Sequence, residues 1–138
     1  MSPRRVCDRV HGDVHLSPVT NRLLSCPEVR RLDGIRQLGG CFVVYPAASH
    51  TRLEHSIGVA HLAALMGNHL RQQCGCVTER DVQCLEVAGL LHDVGHGPFS
   101  HLFEEYMREH RDASWSHETV GETVIDRLLT RMDFEACD

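Results

Sequence analysis

Residues 88–101 read AGLLHDVGHGPFSH. An apolar run stops at the pair His92-Asp93, and within eight further residues the chain passes Gly95, Gly97 and Pro98 and adds His96 and His101. Upstream, Thr78 with Asp81 three residues on is a capping-box start, so a helix from Thr78 leads into this stretch with Val82, Leu85 and Gly89 turned inward. His92 follows Gly89 by three residues and extends that inward stripe to the helix end. Asp93 sits beside it, where Gly95 lets the chain turn away.

Working outward, residues from about Thr51 to Gln72 are helical in pattern and apolar on most sides, the signature of a central buried helix. His55 shares a stripe there with Val59, Leu62 and Met66, and Arg52 lies one turn earlier on the same face. Downstream, PFSHLFEEYMREH opens with a proline at the first helical position and lines up Phe99, Leu102, Phe103 and Tyr106. Ser116 caps a last helix that buries Val120, Val124 and Leu128 and turns His117 inward. Towards the N-terminus, Ser17-Pro18 and Pro27 each start a helix, the second ending near Gly39-Gly40, and CFVVYP is a brief extended piece. DRVHGDVHLS alternates around His11-Gly12, as a short hairpin or extended arm does. The fold class is therefore all-α with a short N-terminal hairpin or arm.

The 138 residues, 42% apolar, suit one domain. Neither a secretory signal nor a membrane span is expected, because no apolar run reaches eighteen residues and MSPRRVCDRV has no hydrophobic stretch behind its charges. A net charge of −5 lacks the basic bias of a nucleic-acid binder, although VRRLDGIRQ is locally positive. Cysteines at 7, 26, 41, 74, 76, 84 and 137 are odd in number and irregularly spaced; they read as reduced thiols of an intracellular protein, in nucleus or cytoplasm, with no structural zinc site.

One inward histidine is more often a hydrogen-bonded core residue than a ligand. Two histidines, an aspartate and an arginine together are costly to bury uncompensated, and a divalent cation or a bound phosphate offsets that cost. His11, His15, His61, His69 and His110 read as surface or hairpin residues.

RQLGG, ASHTRLEHS, HDVGHGPFSH and SWSHE together, within residues 10–129, resemble the HD-domain metal phosphohydrolases, and within them the SAM-and-HD-domain deoxynucleoside triphosphate triphosphohydrolases of vertebrates. The resemblance implies an HD-domain helical bundle at 10–138, incomplete for want of C-terminal helices, behind an arm at 1–9. It implies His55, His92 and Asp93 as ligands of one divalent transition metal, iron, manganese, zinc or nickel, with magnesium on the substrate phosphates as a further option. Arg52 would pair with a phosphate, Gln37 and Leu38 would meet the deoxyribose end, and His96 and His101 would line the α-phosphate. His117 and Glu104 would tune the histidine that transfers the proton; the family has an aspartate where Glu104 stands, one methylene shorter.

The implied reaction is water attack on the α-phosphorus of a deoxynucleoside triphosphate, releasing deoxynucleoside and inorganic triphosphate. The family closes its metal site with an aspartate far downstream; Asp126, Asp133 and Asp138 lie too early for it, and the family's later triphosphate-holding lysine, tyrosine and arginine have no counterpart here. The regulatory guanine-nucleotide site of the vertebrate enzymes has different side chains where this chain has Ser25, Arg30 and Asp33. The alternatives are another HD phosphohydrolase, a nucleotide phosphodiesterase or 5′-nucleotidase, or a truncated non-catalytic protein. Expected partners are deoxynucleoside triphosphates, a second copy or full-length relatives.

Overall fold

A computed structural model describes residues 4–132; Asp133, Cys137 and Asp138 lie outside the described residues. Strands β1 (Arg4–Asp8) and β2 (Gly12–Leu16) pair antiparallel with Val6 opposite Val14, so the arm is a hairpin. The Asp8 carboxylate accepts from the amides of Val10 and His11 at 2.8 Å, and Gly12 at φ +71° supplies the left-handed residue of the turn. Val14 and Leu16 are fully buried between exposed Asp13 and His15. That one-sided burial fixes the register, because a one-residue slip would expose both.

Helix α1 (Pro18–Leu24) starts as its sequence predicts, with the Ser17 side chain accepting from the Thr20 amide. Helix α2 (Pro27–Arg30) is a single turn and passes into a 3-10 turn, Arg31–Gly34, instead of running on to Gly39. Ile35 is extended, its carbonyl accepts from the Arg52 amide at 2.8 Å, and the Gln37 amide donates to His50 at 3.1 Å. Bonds to the segment entering the next helix replace the helical ladder here. CFVVYP is likewise not extended: Cys41–Val43 is a 3-10 turn, and Val43, Val44 and Tyr45 are exposed. Strand propensity is lost without a neighbouring strand to pair with.

Helices α3 (Arg52–Cys74) and α4 (Glu79–Leu91) form the centre, each opened by a complete capping box, Thr51 with Glu54 and Thr78 with Asp81. They make the most extensive contact among the described elements. Gly89 allows it: a Cβ there would stand 2.9 Å from the Ala60 Cα. Leu53, Ile57 and Ala60 of α3 join Leu90 and Leu91 of α4 and Leu23, Leu24, Val29 and Leu32 in one core. A buried leucine of this kind contributes about 2 kcal/mol.

The expectation of an α3 buried on most sides holds only for its first half. Leu62, Leu65, Met66 and Leu70 are 40–59% exposed, and Leu85 of α4, expected inward, is 41% exposed, because no described element covers that end. Helix α5 (His101–His110) begins three residues after Pro98, behind Phe99 and Ser100 at φ 61° and 59°, and so proline is not its first residue. Leu102 and Tyr106 are exposed, and the residue α5 buries is Glu104. Helix α6 (His117–Arg131) is capped by Ser116 and buries Leu128 and Gly121, with Val120 and Val124 half-buried.

The cysteines differ from the all-thiol expectation in one place: Cys74 and Cys76 are joined as a disulfide, while Cys7, Cys26, Cys41 and Cys84 are free. Their spacing brings them together only because α3 stops between them at Gly75.

Candidate active site

The end of α4 delivers His92 and Asp93, and the first turn of α3 delivers Arg52 and His55. Ligand atoms of His55, His92 and Asp93 lie within 4.8 Å of one another. Asp93, 4% exposed, is the hub: one oxygen lies 2.5 Å from Arg52 Nη1 and 3.6 Å from His55 Nε2, the other 3.3 Å from His92 Nε2 and 3.5 Å from His96 Nε2. His92 Nδ1 lies 2.8 Å from the Gly89 carbonyl, which can only accept. The proton is thereby assigned to Nδ1, and the Nε2 lone pair is left for a metal.

Electrostatics suit ligation. Burial alone would raise the Asp93 carboxyl, but the hydrogen bond with His96 and the charges of His92 and Arg52 hold it well below the usual carboxylate range. Burial lowers His55, against the pull of Asp93, and so favours the neutral imidazole that binds a metal. Two imidazoles and one carboxylate fit a first-row divalent ion, with coordination positions left for water or substrate.

Arg52 is 1% exposed and held at two corners, by Asp93 and by Ser100 Oγ at 3.0 Å from Nε. Its third corner, Nη2, is buried and has no hydrogen-bond partner among the described residues. An unpaired guanidinium donor beside a metal-ligand cluster is suited to a phosphate oxygen. His96, also 1% exposed, has an unpartnered buried Nδ1, and burial lowers its pKa.

A second group adjoins the first through His96, whose ring stacks on that of His117 at 3.8 Å between centroids. Glu104 accepts from His117 Nδ1 at 2.7 Å, lies 3.5 Å from His101 Nδ1 and pairs with Arg108 at 2.6 Å. Burial would raise the Glu104 carboxyl, yet the hydrogen bond and charge of His117, with Arg108, hold it below its usual value. The Glu104 carboxylate thus contacts His117 and Arg108 closely and His101 at longer range. An open cavity of about 520 Å³ fronts His101, Glu104, Arg108 and His117.

The structure thus brings together Arg52, His55, His92, Asp93, His96, His101, Glu104 and His117. Gln37 and Leu38 make no hydrogen bond to this set; they adjoin it through Arg36, whose carbonyl accepts from Ser100 Oγ at 2.7 Å. Ser25 caps the end of α1, and Arg30 and Asp33 form an exposed pair 3.9 Å apart, outside both groups.

Sequence reasoning missed Ser100 and Arg31. Ser100 bridges Arg52 to the Arg36 carbonyl. Arg31 donates to the carbonyls of Val94 and His96, at 2.8 Å for the second, and so clasps the loop that carries Asp93 and His96. Backbone carbonyl acceptors leave no mark in a sequence; the position of Ser100, inside the motif, was the one available signal. Gly95 closes the site from below, since a Cβ there would overlap the His117 carbonyl and the Gly121 amide of α6.

The HD domain profile matches residues 52–138, more than half of the chain. The chain is 42% identical over 132 residues to the deoxynucleoside triphosphate triphosphohydrolase SAMHD1 of Gallus gallus, covering 93% of this chain and 22% of that protein. It is 41% identical over 126 residues to the Homo sapiens protein of the same name, covering 88% and 20%, and 38% identical over 108 residues to the Dictyostelium discoideum homolog, covering 77% and 21%. It therefore spans about a fifth of the length of these curated relatives. With its His92-Asp93 pair at the end of one helix and a second histidine, His55, on the helix packed alongside, the chain belongs to the HD domain family.

Proposed function

We propose that this chain carries the front part of a deoxynucleoside triphosphate triphosphohydrolase, cutting the substrate to deoxynucleoside and inorganic triphosphate. The observation that carries the reading is the unpaired Arg52 Nη2 beside the convergent His55, His92 and Asp93. We read residues 10–138 as the first portion of a longer HD domain that takes in the second strand of the hairpin, in keeping with the uncovered apolar face of α3.

His55, His92 and Asp93 would hold a divalent ion, which would supply Lewis-acid polarisation of a phosphate oxygen and a more acidic water. Arg52 binds a phosphate oxygen through Nη2 while Asp93 and Ser100 fix its plane. His96 offers Nδ1 to the α-phosphate. His101, reaching into the open cavity, donates a proton to the leaving 5′-oxygen, and Glu104 orients it together with His117. Gln37 and Leu38, half-buried and exposed here, would meet the sugar, where a tight fit around bound substrate would exclude a 2′-hydroxyl. Three protein ligands and a cavity open on one side position substrate weakly, so turnover by the 138-residue chain is expected to be slow.

Product chromatography tests this. Deoxynucleoside plus intact triphosphate is expected, with loss of turnover in Asp93→Ala, Arg52→Ala and His96→Ala. Turnover that survives Asp93→Ala defeats the reading, and orthophosphate as product places the protein among the nucleotidases. Metal content is an independent check: the protein should hold close to one equivalent of a first-row metal, and His92→Ala should lose it.

A further inference from the structure

The turn between α3 and α4 holds two cysteines for which the proposed hydrolase has no use. α3 ends at Cys74, Gly75 follows in the left-handed conformation at φ +58°, and Cys76 leads to the Thr78 cap. In a continuing helix, residues two apart do not face each other. The left-handed residue breaks that relation, setting the two Cα atoms 5.4 Å apart with the sulfurs joined. Both cysteines are exposed, and the pair lies about 28 Å from His55, counting 1.5 Å per residue along α3.

We propose that Cys74-Gly75-Cys76 is a thiol–disulfide exchange site that accepts low-molecular-weight disulfides of the glutathione class and closes reversibly on itself. One cysteine thiolate attacks a sulfur of the external disulfide; that S–S bond breaks, a protein–glutathione S–S bond forms, and one glutathione thiolate leaves. The other cysteine thiolate attacks the protein sulfur of the mixed disulfide, closes the ring and expels the second glutathione. The protons of the two protein thiols end on the two released glutathiones, and the two electrons lost by the protein pair reduce the external disulfide. Exposure admits the reagent at the first step. Proximity across the glycine makes the second step fast, and a small exposed ring belongs with labile disulfides rather than structural ones.

The full chain, equilibrated in glutathione buffers from reducing to oxidising, then acid-quenched, alkylated and cut with trypsin, releases residues 72–80 as one peptide. The expected peptide is doubly alkylated at the reducing end; at the oxidising end it is unalkylated and two hydrogens lighter than the dithiol. Cys74→Ser should leave only a glutathione adduct on Cys76, and Gly75→Ala should lower the ratio of closed ring to adduct several-fold. Positions 74 and 75 are exposed, so Cys74→Ser leaves the packing untouched and Gly75→Ala adds only the local backbone strain of a left-handed residue; far-UV circular dichroism checks that both keep the fold. The proposal is overturned if the wild-type peptide stays doubly alkylated at every ratio, carries only glutathione adducts, or is joined to another cysteine of this chain or of a second copy.

Discussion

The two ends of the α3–α4 pair are built on different terms. At the site end, Arg52, Leu53, Ser56, Ile57, Gly58 and Ala60 of α3 are buried, and Gly89 and Gly95 let backbones approach to distances no side chain would allow. At the far end, Leu62, Leu65, Met66 and Leu70 face outward over an exposed disulfide turn. Both ends are helical and rich in apolar residues. The site end has its polar groups interlocked inside a packed shell, while the far end has caps and propensity but no cover among the described residues. Electrostatic preorganisation needs the first condition and tolerates the second elsewhere.

The site end is most vulnerable at Gly95. Gly95→Ala places a methyl into the His117 carbonyl and the Gly121 amide, neither of which can yield without moving α6. A loss of about 4 kcal/mol or more is expected in urea denaturation, with loss of metal binding; a well-folded variant of wild-type stability would show that α6 is not seated as described.

Arg31→Ala tests the clasp. Two carbonyls of the loop that carries Asp93 and His96 lose a charged donor, which is worth about 2 kcal/mol in stability and at least tenfold in metal affinity. Isothermal titration with manganese separates the two effects, and Arg31→Lys should recover part of the affinity. Unchanged metal affinity would confine Arg31 to the scaffold.

A smaller effect is expected from pH. The Glu104 carboxyl is held below its ordinary value of 4.5, so its contribution is complete above that pH and is lost as pH falls through the folded-state value. Acid unfolding followed by circular dichroism should show this loss below about pH 4.5. Glu104→Gln should flatten that limb; a limb of unchanged steepness would assign the acid sensitivity to other carboxylates, Asp93 first among them.

The smallest effect belongs to the far end. Leu65→Ser removes an apolar side chain already 53% exposed, and stability should change by only about 0.5 kcal/mol. Self-association should fall, because the patch it interrupts is the uncovered apolar face. Sedimentation at several concentrations measures this; a wild-type chain that stays monomeric throughout would remove the reason for the substitution.

Local sequence sets most of the helix starts and narrows the N-terminal segment to a hairpin or an extended arm, but it misplaces the start of α5, which lies at His101 and not at Pro98. Ser17, Thr51, Thr78 and Ser116 cap where they stand because capping is a matter of three or four consecutive residues. His55 and His92 were legible as inward-facing because helical periodicity says which residues share a face, while Asp93 and the ligand roles came from the resemblance to the HD-domain phosphohydrolases. Tertiary structure decided what depends on partners remote in sequence. It halted α2 after one turn by pairing Ile35 and Gln37 with the entry to α3, and it denied CFVVYP a neighbouring strand. It left Leu62, Leu65 and Leu85 in solvent, since periodicity marks an apolar face without saying what covers it. It also supplied the Arg31 clasp and the left-handed turn that joins Cys74 to Cys76, because backbone carbonyls and dihedral angles at a helix end are set by packing that residue types do not encode.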